Sequence, residues 1–281
     1  LPLWHIGGLA ILFRTVHGGA AAAIPSRGSK LADSIQGLQA THLSLVSAQL
    51  GRLLDAGFSG GRLKAVLAGG GPVPSRLARE AAARGIPVHR TYGMTELCSQ
   101  LCTAPAGSLH GEGLPLEGWE LKIAGDGEIL ARGPPLFLGY IGTESSPTRD
   151  SSGWFHTGDV GKLEEGGMLH VIGRKDQMFV SGGENIFPEE IERLLCGFPG
   201  VETAVVVPVA HKEYGKRPVA FISGVMHPDL GGRLREALPG FKIPDHFIPW
   251  PEELPVQKPS RPYLQQLALR WLEQRRQSKD L

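Results

Sequence analysis

The sequence contains few cysteines, and their spacing forms no pattern. Its three cysteines are Cys98, Cys102 and Cys196, and no histidine stands beside them at a metal-ligand spacing. Thiols this few and irregular exclude a disulfide framework and argue against a zinc site. We therefore expect a protein of the reducing cytoplasm.

An excess of charge of one sign and a long apolar run are also missing. The chain has 29 lysines and arginines against 28 aspartates and glutamates, so its charge favours neither nucleic acid nor an anionic membrane as a partner. The longest apolar run, residues 1–13, contains His5 and two glycines and is shorter than a membrane span. We expect no membrane insertion, and a polyanionic ligand would have to be bound by local hydrogen-bond donors.

Glycine and proline, in contrast, are abundant, with 39 and 22 residues. They are typical of many short connections between strands and helices, and a length of 281 residues suits two unequal domains. Short apolar segments between about residues 112 and 172 predict small antiparallel strands, and strands and helices alternate after Asp176. The predicted fold class is α/β: a parallel-sheet N-terminal domain over residues 1–174, including a small β subdomain at about 112–172, followed by a mobile α+β C-terminal lobe over residues 175–281.

The clearest local pattern lies between residues 63 and 90. An apolar strand at 63–68, an alanine-rich helix at 75–84 and a second strand at 86–90 predict a βαβ unit with parallel strands. The first strand is followed by Gly69, Gly70 and Gly71, and the second is followed by residues 92–96. Ligands bind at this carboxyl edge in open parallel sheets.

Residues 173–192 change character within a few positions. They predict a hinge, a short strand at 178–180, a glycine pair at Gly182 and Gly183, and a helix that begins at Pro188. Glycine allows a tight turn or a close approach of a ligand, and proline is favoured at the first helical position. We expect one domain to end and the next to begin here.

These regions, taken with Thr157, Gly158 and Asp159, resemble the adenylate-forming superfamily of acyl-CoA synthetases, luciferases and peptide-synthetase adenylation domains. The matching motifs are Tyr-Gly-Met-Thr-Glu at 92–96, Thr-Gly-Asp at 157–159 and the stretch at 173–192, and three motifs in order are more specific than one. The resemblance covers essentially the whole chain. Within the superfamily, residues 91–100 and 1–9 are most similar to a ligase that joins CoA to an aromatic dicarboxylic acid.

The resemblance implies an ATP-dependent acid:CoA ligase that works in two half-reactions. A carboxylic acid would attack ATP to give acyl-AMP and pyrophosphate, and the thiol of coenzyme A would then displace AMP. ATP, Mg²⁺, CoA as co-substrate and a small carboxylic acid are therefore expected as ligands, and nucleic acid is not. The sequence leaves homo-oligomer formation open.

The superfamily also implies a phosphate loop that the sequence lacks. That loop, rich in Ser, Thr and Gly, lies upstream of a Pro-x-x-His-x-x-Gly segment, which residues 2–8 match. Nothing in the 281 residues resembles it. We therefore expect an N-terminally truncated sequence, whose activity without the loop is open.

The residues implied for adenine and ribose are Gly69, Gly70, Gly71, Tyr92, Asp159 and Arg174. Tyr92 would stack on adenine, while Asp159 and Arg174 would hold the ribose hydroxyls. On the catalytic side, Thr95 would donate to a phosphate oxygen and Glu96 would ligate Mg²⁺, which prefers carboxylate and phosphate oxygens.

The residues implied for the acid are His5, in a catalytic role, with Arg52, Cys98, Ser99 and Gln100. A dicarboxylate keeps one carboxylate free to react and needs a cationic or polar contact for the other, which Arg52 could provide. Two ordinary interpretations stay open: His5 as a core histidine with satisfied hydrogen bonds, and Arg52 as a solvent-facing helix residue.

The catalytic lysine motif departs from the superfamily pattern Leu-Pro-x-x-x-x-Gly-Lys-x-x-Arg. Counting from Leu254 gives Arg261, whereas the Lys-x-x-Arg spacing gives Lys258. We favour Lys258 as the catalytic cation, in a shortened loop where Gln257 replaces the usual glycine. A plain surface role for Lys258 stays open.

In the same family, Asp176 matches the hinge at which the C-terminal lobe rotates, and the loop of Gly182 and Gly183 would meet the pantetheine arm of CoA. Two other functions remain open. One is another aromatic or fatty acyl-CoA ligase. The other is a non-catalytic nucleotide-binding module, which the missing phosphate loop and the altered lysine motif favour.

Overall fold

The computed structural model describes residues 1–26, 28–142, 149–252, 254 and 260–277. The chain forms two compact units, Leu1–Val171 and Ile172–Leu281. The division falls inside a strand, Leu169–Arg174, whereas the sequence predicts a boundary after residue 174. The functional roles of the two units stay predictions.

The first unit is built on a five-stranded sheet in the order β1-β2-β3-β4-β5. Its strands are β1 (His42–Leu45), β2 (Ala65–Ala68), β3 (Val88–Tyr92), β4 (Cys102–Thr103) and β5 (Leu114–Pro115). Its helices are α1 (Ile6–His17), α2 (Leu31–Gly37), α3 (Ser47–Asp55) and α4 (Ser75–Ala83). Strands β1, β2 and β3 are parallel, which confirms the predicted βαβ unit, and β4 and β5 add antiparallel pairs.

Helix α3 shows why these segments fold as they do. Leu50, Leu53 and Leu54 recur at helical spacing and are buried, while Arg52 between them is exposed. The three leucines join one core cluster with Val66 of β2. Burial of such a side chain contributes about 1.5 to 3 kcal/mol, so this face fixes α3 against the sheet.

A four-stranded sheet also lies in the first unit, apart from the last three residues of its final strand. It contains β6 (Glu120–Ile123), β7 (Glu128–Arg132), β8 (Phe155–Leu163) and β9 (Leu169–Arg174), in that order. β6 pairs antiparallel with β7, and β7 with β8, which confirms the small β subdomain of the predicted fold class. Its core includes Ile129 and Phe155 together with Tyr92 from β3, so it packs against the edge of the first sheet where the nucleotide residues were predicted.

The second unit is the predicted α+β lobe. It contains β10 (Phe179–Ser181), β11 (Glu184–Ile186), α5 (Pro188–Leu195), β12 (Val201–His211), β13 (Gly215–Gly224), α6 (Leu230–Arg235), β14 (His246–Pro249) and α7 (Arg261–Gln277). β12 pairs antiparallel with β13, and β13 pairs parallel with β14. The sequence pattern anticipated most of these elements but not β11 or β14.

Alternation along β12 places helices on both faces of this sheet. Val206 packs with α5 and α6, whereas its neighbours Val205 and Val207 pack with Leu264 of α7. Successive side chains of a strand point to opposite faces, so an almost continuous run of valines is buried on both sides. Among the described residues, no helix combines the length and the apolar character needed to cross a membrane.

Candidate active site

The predicted nucleotide loops lie where two parallel strands end. Gly69, Gly70 and Gly71 follow β2 directly, and a short 3₁₀ turn, Thr95–Leu97, follows β3 after two residues. A Cβ on Gly69 would overlap Thr91 Oγ1, and Gly70 has a φ of +74°. Glycine is therefore required here by close packing and by the backbone conformation.

Tyr92 and Asp159 come together in the buried core beneath this edge. Each is 7% exposed, and the Tyr92 hydroxyl donates to Asp159 Oδ2 at 2.7 Å. Burial, followed by the charge of Asp159, holds the pKa of the Tyr92 hydroxyl well above its ordinary value. Tyr92 is thus a neutral donor that orients the carboxylate predicted to hold ribose.

Glu96 lies in the 3₁₀ turn after β3, next to the exposed Thr95. The hydroxyl of Tyr140 donates to Glu96 Oε1 at 2.8 Å. No group of three His, Cys, Asp or Glu side chains that could hold a metal occurs in the described parts of the chain. A lone carboxylate suits Mg²⁺ where phosphate oxygens supply further ligands, which is the common arrangement in nucleotide enzymes.

Ser99 and Gln100, which the family resemblance implies for the acid, contact a cation that the sequence did not single out. Arg14 of α1 donates from Nη2 to Gln100 Oε1 at 2.5 Å and to Ser99 Oγ at 3.4 Å. Gln100 Nε2 in turn donates to Thr103 Oγ1 at 3.1 Å. Because a guanidinium only donates, the amide oxygen of Gln100 must be the atom facing Arg14. We call Arg14, Ser99 and Gln100 the Arg14 cluster.

The backbone before Gln100 is strained. Cys98 has a φ of +52° and Ser99 a φ of +90°, in the left-handed region that residues other than glycine seldom adopt. Such conformations cost of order 1 to 3 kcal/mol and persist where the surrounding structure imposes them, often at functional sites. This turn brings Ser99 and Gln100 to Arg14.

Arg52 and His5, the other residues implied for the acid, lie elsewhere in the first unit. Arg52 is on the exposed face of α3, and its Nε donates to the carbonyl of Ala48 in the same helix at 3.3 Å. Its position matches the solvent-facing alternative. His5 immediately precedes α1 and is exposed, so a core role for its ring is wrong.

In the second unit, Arg174 and Asp176 form a pair at the predicted hinge. Arg174 Nε donates to Asp176 Oδ1 at 3.4 Å, and both side chains are largely exposed. Burial acts to raise the pKa of Asp176, but the hydrogen bond and charge of Arg174 outweigh it and lower that pKa. The pair keeps Asp176 ionised.

Gly182 and Gly183 form the two-residue turn between β10 and β11. Their φ values are +59° and +88°, and Ser181 pairs with Glu184 across the turn. Two residues at positive φ are what such a tight hairpin requires, so the hairpin by itself accounts for the glycine pair. The turn borders a surface pocket of about 390 Å³ lined by Ser181, Gly182, Glu184, Tyr214, Arg217, Gly240 and Phe241.

The two candidates for the catalytic cation are Lys258 and Arg261. Lys258 lies outside the described residues. Arg261 begins α7, and its guanidinium donates to Glu192 Oε1 at 2.6 Å and to the carbonyl of Val206 at 2.8 Å. Burial opposes its charge, but the hydrogen bond and charge of Glu192, helped by Glu189, raise the pKa of Arg261. Arg261 therefore joins α7 to α5 and β12.

Comparison with known protein families defines the class of protein to which the chain belongs. Residues 1–141 match the model described as AMP-binding enzyme, and residues 190–259 match AMP-binding enzyme C-terminal domain. The chain belongs to the AMP-binding enzyme family, as the motifs had indicated.

Individual relatives within this family are similar to most of the chain. The chain is 37% identical over 270 residues to 2-succinylbenzoate–CoA ligase of Bacillus subtilis, covering 88% of this chain and 55% of the relative. It is 37% identical over 271 residues to the ligase of the same name from Bacillus licheniformis, covering 88% of this chain and 56% of the relative. The chain thus spans a little over half the length of these relatives.

Solved structures of such relatives also match this chain in fold and sequence. o-Succinylbenzoate CoA synthetase from Bacillus subtilis, in complex with the acyl-adenylate intermediate OSB-AMP, is 34% identical with a TM-score of 0.84, covering 94% of this chain and 59% of that one. An Escherichia coli MenE variant with bound OSB-AMS is 36% identical with a TM-score of 0.82, covering 95% and 59%. These likenesses confirm the α/β fold class.

Proposed function

We propose that the protein is an ATP-dependent acid:CoA ligase that forms an acyl-AMP and then an acyl-CoA thioester, with 2-succinylbenzoate as its acid. The observation that carries this proposal is the Arg14 cluster, which holds a guanidinium against the segment that follows Tyr92 and Glu96. A cation beside the residues predicted for the nucleotide suits an acid with a second carboxylate, and 2-succinylbenzoate is such an acid. The names of the relatives support the same substrate.

In the first half-reaction, an oxygen of the acid forms a bond to the α-phosphorus of ATP, and pyrophosphate leaves with the electrons of the broken bond. Arg14 would hold the second carboxylate by charge-assisted hydrogen bonds, so that the first is presented for attack. Asp159, oriented by Tyr92, would accept hydrogen bonds from the ribose. Thr95 would donate to a phosphate oxygen.

Glu96 is the residue that would hold Mg²⁺ together with phosphate oxygens of the nucleotide. When bound, the metal neutralises phosphate charge and makes the phosphorus more electrophilic. The structure of a Bacillus subtilis relative, solved in complex with ATP and magnesium ion, supports this pair of ligands.

In the second half-reaction, the CoA thiolate forms a bond to the acyl carbon and AMP leaves.

Lys258 remains our candidate for countering the charge that develops during adenylation, the first half-reaction. Support comes from Arg261, whose guanidinium is engaged by Glu192 and the carbonyl of Val206. The hinge role of Asp176 and the roles of Arg174, His5, Gly182 and Gly183 stay predictions from the family resemblance.

The experiment is pyrophosphate release by the full-length protein with 2-succinylbenzoate, benzoate and aliphatic acids, in wild type, Arg14→Ala and Arg52→Ala. We expect 2-succinylbenzoate to be preferred. Arg14→Ala should raise its KM about 10- to 100-fold, the range for losing charge-assisted hydrogen bonds of about 1.5 to 3 kcal/mol. Arg52→Ala is the matched control and should leave KM within about twofold, since the Arg52 side chain bonds to the carbonyl of Ala48 within its own helix.

Other outcomes identify what is wrong. A raised KM in Arg52→Ala but not in Arg14→Ala would restore the sequence-based choice of Arg52. Equal use of benzoate would indicate another aromatic acyl-CoA ligase. Failure of every acid to release pyrophosphate would favour the non-catalytic nucleotide-binding module.

A further inference from the structure

A short segment of the first unit, residues 136–142, folds back over the turn that carries Glu96. The backbone N–H of Phe137 donates to the carbonyl of Glu96 at 2.9 Å. Three residues later, the Tyr140 hydroxyl donates to Glu96 Oε1 at 2.8 Å. One segment therefore holds both the backbone and the carboxylate of the same residue.

The segment is anchored in the core, while its contact with Glu96 is at the surface. Leu136 is 4% exposed, and the ring of Phe137 packs edge-on against Phe155 of β8 at 5.4 Å between centroids. The ring of Tyr140 packs edge-on against Phe137 at 4.9 Å. Tyr140 itself is 53% exposed, so core packing does not account for its place beside a carboxylate.

The hydrogen bond matters because a carboxylate is a metal ligand with two oxygens and a rotatable plane. A donor on Oε1 restrains that rotation and leaves Oε2 available to a cation. Partners of this kind orient metal ligands throughout metalloenzymes, and their loss commonly costs about 10- to 100-fold in metal affinity or activity.

We propose that Tyr140 is a positioning residue that orients the Glu96 carboxylate for the metal–nucleotide complex. This inference rests on the proposed function, in which Glu96 is the residue that would hold Mg²⁺. Tyr140 acts through Glu96 and contacts none of the substrates in this role.

The test is metal binding in the full-length protein with a non-hydrolysable ATP analogue, using Mn²⁺ as the probe and electron paramagnetic resonance to separate free from bound metal. Tyr140→Phe keeps the ring against Phe137 and removes only the hydroxyl. We expect about tenfold weaker Mn²⁺ binding in the ternary complex, with the melting temperature unchanged. Turnover should recover toward the wild-type value at saturating Mg²⁺.

Tyr263→Phe is the matched control, because it removes a hydroxyl from a partly exposed tyrosine of α7. Its Mn²⁺ affinity should equal that of wild type. If Tyr140→Phe binds Mn²⁺ as tightly as wild type while Glu96→Gln binds it weakly, the positioning role is overturned and the proposed function stands. If the wild-type protein forms no metal–nucleotide complex, the proposed function fails and the inference fails with it.

Discussion

At the scale of single residues, the hydroxyl of Tyr92 links the two sheets of the first unit. It donates to Asp159 from a buried position, and its pKa lies well above the ordinary tyrosine value of 10.0. The folded state therefore keeps the proton while the unfolded chain releases it above about pH 10. This stabilisation is fully present below the unfolded pKa and is lost as the pH rises toward the folded pKa.

We expect the free energy of unfolding to fall with pH above about 10 in the wild type, and to fall less steeply in Tyr92→Phe. Phenylalanine keeps the ring but has no proton to retain, so the part of the pH dependence that Tyr92 causes disappears. Urea unfolding at several alkaline pH values measures this. Equal slopes in the two proteins would mean that Tyr92 titrates normally.

At the scale of secondary structure, Arg261 ties α7 to its neighbours. Its guanidinium contacts the carboxylate of Glu192 on α5 and the carbonyl of Val206 on β12, with about a quarter of its side chain exposed. Removing one partner of a buried pair leaves the other charge unsatisfied at a cost of about 3 to 5 kcal/mol. Partial exposure reduces that cost here.

Arg261→Ala should therefore lower the free energy of unfolding by about 2 to 3 kcal/mol, measured by urea denaturation.

Lys258→Ala should instead abolish acyl-AMP formation in the full-length protein, while the variant should still convert supplied acyl-AMP and CoA to product. Full stability in Arg261→Ala with loss of the first half-reaction would identify Arg261 as the catalytic cation.

At Gly182 and Gly183, a requirement of the backbone turn and a role in ligand binding would both select glycine. From the sequence, Gly182 and Gly183 were compatible with a tight turn or with close approach of a ligand. The structure supplies the turn, because both residues have positive φ in a two-residue hairpin. A ligand role for these glycines stays a prediction.

For the molecule as a whole, we predict that rotation at Asp176 would separate the two half-reactions of the proposed function. Asp176→Pro would fix φ and delete a backbone donor beside the Arg174 contact. We expect one half-reaction to fail selectively, with acyl-AMP accumulating or acyl-AMP formation lost. Single-turnover measurements of each step distinguish these results.

Asp176→Asn is the control for the hinge, because it removes the charge and keeps the backbone free. It should slow neither half-reaction selectively. Equal slowing of both steps by Asp176→Pro would count against a rotating C-terminal lobe.

From the sequence alone, the family, the order of most elements and the sheet edge that carries the motifs could be predicted. These features follow from local causes: apolar periodicity, glycine and proline placement, and motifs whose residues are neighbours in the chain. The βαβ unit and α5 were predicted to within a few residues for this reason. The short strands β11 and β14 were missed because their residues lack a distinct alternating pattern.

Which distant side chains meet could be seen only once the chain had folded. Arg14 reaches Gln100 across 86 positions, Tyr92 reaches Asp159 across 67, and Tyr140 reaches Glu96 across 44. No local pattern encodes such pairs, because each depends on how a helix or a folded-back segment packs against the sheet. For that reason the sequence could propose Arg52 as the cation for the acid, whereas the packing of α1 brought Arg14 to Ser99 and Gln100.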